Sequence, residues 1–71
     1  MYLKRIGDLR EDNDLKQKDL AKVLNISQQY YSNIEKGQRT ITAEMIKYLS
    51  IFYNVSSDYI LELTDNKKIN K

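Results

Sequence analysis

Residues 15–39 read LKQKDLAKVLNISQQYYSNIEKGQR, two short helical stretches joined by a tight turn and followed by a basic loop. The first stretch, Gln17 to Leu24, places Leu20, Ala21, Val23 and Leu24 on one inward stripe. Asn25 follows, a residue that tolerates the left-handed backbone with which helices often end. Ile26-Ser27 restarts a helix, with Ser27 as its N-cap. The second helix, Gln28 to Glu35, turns Tyr31 and Ile34 inward. Gln28, Gln29, Tyr30, Ser32 and Asn33 fall on the other side. A short helix with an amide-rich face, braced by a second helix, is what entry into a DNA major groove requires.

The rest of the chain extends this all-helical pattern. Leu3, Ile6 and Leu9 recur every third residue and predict a first helix ending near Asp12 or Asn13. Asp12-Asn13-Asp14 makes the following turn. Gly37 stops the recognition helix, and the loop Lys36-Gly37-Gln38-Arg39-Thr40 leads to a fourth helix capped by Thr42. Ser56 caps a fifth, from Ser57 to about Leu63. Ile26 with Tyr31, Ile41 with Ile46 and Val55 with Ile60 each pair a residue before a cap with one five positions on, the spacing of a hydrophobic staple. The expected core is Ile6, Leu9, Leu20, Ala21, Leu24, Ile26, Tyr31, Ile34, Ile46, Leu49, Tyr53, Val55, Ile60 and Leu61. Periodicity is lost from Thr64, so the domain is expected to span residues 1–63 and residues 64–71 to form a flexible tail.

Composition narrows the function. Seventy-one residues allow one domain with a small core. With no cysteine and no histidine, disulfides, thiol chemistry, Cys/His zinc sites and histidine acid–base catalysis are excluded. No apolar run approaches the ~20 residues of a membrane span, and the first twelve residues lack the apolar centre of a signal peptide. A cytoplasmic location follows by default. The net charge of +2 is too small to argue for nucleic acid, but its distribution is informative. Residues 16–39 hold five basic groups (Lys16, Lys18, Lys22, Lys36, Arg39) against two acidic ones, whereas acidic groups prevail over 1–15 and 40–64.

Gln28 and Gln29 are the first candidates for reading bases, because a glutamine can bond adenine N6 and N7 at once. Asn33, a turn later, can reach another base or a phosphate. Tyr30 offers a ring to a thymine methyl or a hydroxyl to a phosphate, unless it packs on its own surface. Ser32, Lys36, Gln38 and Arg39 suit phosphate contacts at the far end of the helix, with Lys16 and Lys22 as weaker candidates. Gln17 opens the preceding helix, where free N–H groups and the helix dipole favour a phosphate. The fourth helix carries Met45, Tyr48 and Phe52 as a second apolar stripe beyond its inner face. An exposed stripe of this kind fits a homodimer surface.

The register of Leu9-Arg10, Gln17, Leu20-Ala21, Leu24, Ile26-Ser27, Tyr31-Ser32, Ile34-Glu35 and Gly37 resembles the Xre family of helix-turn-helix regulators, which includes lambda-type repressors and Cro proteins. The resemblance continues through Ile46, Leu49, Val55-Ser56 and Asp58-Tyr59-Ile60-Leu61 and covers residues 3–63. It implies a five-helix, all-α lambda-repressor-like domain whose helices 2 and 3 form the helix-turn-helix. It implies also that Gln17 clamps the DNA backbone and that Arg10 and Glu35 form a structural ion pair tying helix 1 to helix 3. Asn25 departs from the family's usual Gly, Lys16 from its usual Ser or Thr cap, and Ile41 from a frequent Pro.

The resulting expectation is a transcriptional regulator, most simply a repressor, that binds a pseudo-palindromic double-stranded operator as a homodimer, without cofactor or metal. Catalysis is disfavoured: the carboxylates are scattered and no triad, phosphate loop or metal spacing is present. A helix-turn-helix that binds protein instead, such as an antitoxin or anti-repressor, is the competing class. Its recognition face would be apolar at the centre, whereas Gln28, Gln29, Asn33, Lys36 and Arg39 make this one polar and basic.

Overall fold

The computed structural model describes residues 2–67. Among these lie five helices and no strand: α1 (Lys4–Asp12), α2 (Gln17–Leu24), α3 (Gln28–Glu35), α4 (Ala43–Tyr53) and α5 (Ser57–Ile60). Side-chain hydroxyls set three of the starts. Ser27 accepts from the Tyr30 N–H at 3.1 Å, Thr42 from Met45 at 3.1 Å and Ser56 from Tyr59 at 3.0 Å. Each satisfies a donor that the first turn of a helix leaves free. Lys16 has no acceptor to offer at the start of α2. Asp19, three residues on, instead takes the Lys16 N–H at 2.9 Å and sets its charge at the positive end of the dipole.

The stops are equally local. Asn25 and Asn54 end α2 and α4 in the left-handed conformation, each at φ 56°. An alanine pays for that conformation where asparagine largely escapes. Asn25→Ala is therefore expected to lower stability by about 1 kcal/mol, measured by urea unfolding. Gly37 sits at φ 78°, and a Cβ there would come within 3.0 Å of the Tyr2 Cβ, so both backbone and space demand glycine. The fifth helix is shorter than the sequence suggests. It ends at Ile60 rather than near Leu63, because Glu62 turns left-handed at φ 62°.

Helix α2 packs on α3 and α4, while α1 and α5 close the other side. The core they enclose contains Ile6, Leu9, Leu20, Ala21, Leu24, Tyr31, Ile34, Ile46, Leu49, Val55 and Ile60, as periodicity predicts. Leu3 and Ile41 also belong to it. Both precede a helix rather than lie within it, Leu3 just before α1 and Ile41 just before the Thr42 cap of α4. Ile26, Tyr53 and Leu61, expected inside, are only half-buried at its rim.

Residues 64–67 are tied back to the domain. Arg5 donates to the Tyr59 carbonyl at 2.9 Å, to the Thr64 carbonyl and to Asp65 at 2.5 Å. Its guanidinium lies 4.2 Å above the Tyr59 ring, and the Ser56 N–H bonds the Lys67 carbonyl at 2.9 Å. The remainder of the expected flexible tail, residues 68–71, lies outside the described residues. No helix among those described is long and apolar enough to cross a membrane.

Candidate nucleic-acid interface

Burying Tyr31 and Ile34 fixes how α3 rolls against α2, and that roll decides what α3 shows to solvent. Gln28 and Gln29 are exposed at its first turn. Ser32 and Asn33 are half-buried one turn on, and Lys36, Gln38 and Arg39 are exposed beyond its end. These side chains thus occupy one continuous face. The face is organised from within: Gln29 Nε2 donates to Asn33 Oδ1 at 3.2 Å. The Asn33 carbonyl accepts the N–H groups of Gln38 at 2.9 Å and Arg39 at 3.3 Å, holding the basic loop against the helix. Tyr30 is half-buried against the core, and the Arg39 guanidinium lies 5.8 Å from its ring centroid.

Behind this face sits a charged knot. Glu35, at the last position of α3, accepts from Arg10 Nε at 2.7 Å and Nη2 at 3.2 Å, a bidentate pair joining α1 to α3. Arg10 also donates to the Leu15 carbonyl at 3.0 Å, so the same guanidinium anchors the turn into α2. Gln17 Nε2 donates to Glu35 Oε1 at 3.2 Å. The side chain expected to clamp DNA is thus already held by the protein, and it is half-buried. Its carbonyl oxygen and one amide hydrogen are left over, together with the free N–H groups that open α2.

The protonation states follow. Burial alone would raise the Glu35 carboxyl, but hydrogen bonding from Arg10 and Gln17, with the nearby Tyr31 hydroxyl adding its influence, holds it below its ordinary value. The same bond raises Arg10. The Tyr31 hydroxyl is near enough to feel the carboxylate yet makes no hydrogen bond of normal geometry; burial first, and then Glu35, push it up. Tyr53, also without a hydrogen-bond partner, is pushed up to about 12, chiefly by burial. The knot is therefore one ion pair with two neutral tyrosines beside it, stable in charge across the neutral range.

Away from this face, α4 exposes Tyr48, Ile51 and Phe52, at 45, 66 and 47% of their full surface. Met45 of the expected dimer stripe is half-buried. With Tyr48, Leu24 and Ile26 it lines an open groove of about 390 Å³ between the end of α2 and the start of α4. Tyr48 also donates its hydroxyl to Glu44 at 3.1 Å.

A helix-turn-helix family model matches residues 6–60. The chain is 33% identical over 66 residues to an uncharacterized HTH-type transcriptional regulator, YobD, of Bacillus subtilis, covering 93% of this chain and 59% of the relative. It is 35% identical to the HTH-type transcriptional regulator ImmR of the same organism, over 96% of this chain and 54% of that one. It is 31% identical to RstR, the cryptic phage CTXphi transcriptional repressor of Vibrio cholerae, over 99% and 60% respectively. The chain thus spans between about half and three-fifths of the length of these curated relatives. No solved structure gives a significant match. Five helices in this order, with α2 and α3 forming the helix-turn-helix inside the matched region, place the chain in the Xre-like helix-turn-helix family.

Proposed function

We propose that this chain is the DNA-binding part of a transcriptional repressor that recognises a pseudo-palindromic operator as a homodimer, in the cytoplasm. The observation that carries the reading is the polar face of α3. Gln28 and Gln29 stand exposed and Asn33 half-buried on this face, with Lys36 and Arg39 at the end of the helix and α2 braced behind it. Gln28, Gln29 and Asn33 read base edges in the major groove. Gln29 spends one amide hydrogen on Asn33 and keeps the other, with its carbonyl oxygen, for the bidentate pattern adenine presents. Gln17, Ser32, Lys36, Gln38 and Arg39 hold phosphates and fix the register. Gln17 is presented to the backbone by Glu35, which orients its carboxamide. That the relatives are named as transcriptional regulators, one of them a repressor, supports the role.

The dimer contact is assigned to Met45, Tyr48 and Phe52. Two half-sites about one helical turn apart, ~34 Å, call for a two-fold partner, and Tyr48 and Phe52 of this stripe stand exposed on α4, with Met45 half-buried beside them.

Phosphate contacts are tested by salt. Binding of duplex DNA should weaken linearly in log–log form as salt rises, the signature of released counterions. Arg39→Ala should weaken binding to every sequence and lower the slope by about one unit per protomer, read by fluorescence anisotropy across a salt series. An unchanged slope removes Arg39 from the interface.

A further inference from the structure

Tyr30 and Arg39 are nine positions apart and meet across the end of α3. The Arg39 guanidinium lies 5.8 Å from the ring centroid, at the outer range of an attractive cation–ring contact. Two further observations make the contact directional. The ring is half-buried, packed against the core beside α3, so it is a fixed platform rather than a free side chain. The Arg39 backbone is pinned as well, its N–H on the Asn33 carbonyl at 3.3 Å. An exposed arginine otherwise samples many rotamers, and ordering it on a phosphate costs entropy at the moment of binding. Arg39 is held at both ends, by the Asn33 carbonyl and by the Tyr30 face.

We propose that Tyr30 is a positioning residue for Arg39: its ring preorders the guanidinium toward the DNA backbone, and its hydroxyl takes no part in binding. This rests on the DNA-binding reading above and reassigns Tyr30 from the base-reading set. An aromatic side chain in the first turn of a recognition helix then acts on affinity through its neighbour, and sequence preference is left to Gln28, Gln29 and Asn33.

The test is a double-mutant cycle on a duplex that the wild type binds, at fixed salt. Tyr30→Leu should weaken binding about two- to fivefold, the scale of an exposed cation–ring contact. In the Arg39→Ala background the same substitution should change nothing. Tyr30→Phe, which keeps the ring, should bind as the wild type does. A general loss of packing would appear in both backgrounds, so the cycle separates positioning from stability. In the DNA-free protein, the Arg39 side-chain protons should show an upfield ring-current shift in NMR spectra, retained in Tyr30→Phe and lost in Tyr30→Leu. Equal losses from Tyr30→Leu with and without Arg39, or a loss in Tyr30→Phe, would overturn the proposal. A wild type that shows the ring-current shift but binds no duplex would overturn the DNA reading and, with it, the role of the Tyr30–Arg39 pair.

Discussion

Replacing Arg10 by methionine should destabilise the domain by about 3 kcal/mol and blunt its response to acid. The Arg10 side chain is only 17% exposed and that of Glu35 12%, so removing the cation leaves a carboxylate with little water around it. Breaking such a pair costs more than the pair contributes, because the remaining charge loses its compensation. A chain of 71 residues is expected to have only about 3.5–10 kcal/mol in all, so a loss of this size brings the domain close to unfolding near body temperature.

The acid response follows from the direction of each shift. In the wild type, Glu35 titrates below its ordinary value of 4.5. It contributes stability at neutral pH, and that stability is lost as pH falls through the lowered folded value. Without Arg10, burial is opposed only by Gln17 and the nearby Tyr31 hydroxyl, so the carboxyl rises from its wild-type value. The gap between the folded and unfolded values narrows, so the variant should lose less stability than the wild type as pH falls through the acid range. Arg10→Met with Glu35→Gln should recover most of the loss, since a neutral amide needs no counter-charge. Urea unfolding at several pH values measures all three. A wild type and Arg10→Met of equal stability, with parallel pH profiles, would show that the knot does not hold α1 to α3.

Gln28→Ala and Gln29→Ala should each weaken binding to the cognate site by about 1–3 kcal/mol per half-site, and hardly affect random duplex. The asymmetry is the point of the experiment. A glutamine that reads adenine through two hydrogen bonds discriminates bases, and truncating it leaves base edges unpaired only where the right base is present. A homodimer carries the substitution twice, so the loss on a full operator should be about double that on an isolated half-site. Gln29→Ala should also release Asn33 Oδ1 from its bond at 3.2 Å. Specificity is therefore expected to relax at the position read by Asn33 as well as at that read by Gln29. Equal losses on cognate and random DNA would move both glutamines to the backbone-contact group.

The parts of this molecule legible in the sequence are those that local chemistry decides. The bounds of α2 and α3, the caps at Ser27, Thr42 and Ser56, and the stops at Asn25 and Gly37 depend on residues within a turn of one another. What the sequence hid depends on partners far along the chain. Arg5 holds groups 54 to 60 residues away, and no periodicity marks such a pairing. The bond from Gln17 to Glu35 spans 18 residues and changes what the glutamine has left to offer. Leu3 and Ile41 were visible as an outlying member of a stripe and as a staple, but their burial is settled by how the helix after each is docked. The α3 face was legible because it is the complement of Tyr31 and Ile34; the contact between Tyr30 and Arg39 was not, since it depends on the path of the loop.

Binding-site selection from random duplex DNA, sequenced and run at stated salt, tests sequence-specific recognition by a dimer most directly. An inverted repeat with half-sites about one helical turn apart, and with A·T pairs at the positions facing Gln28 and Gln29, should be enriched. Well-folded protein that enriches no sequence would contradict such recognition.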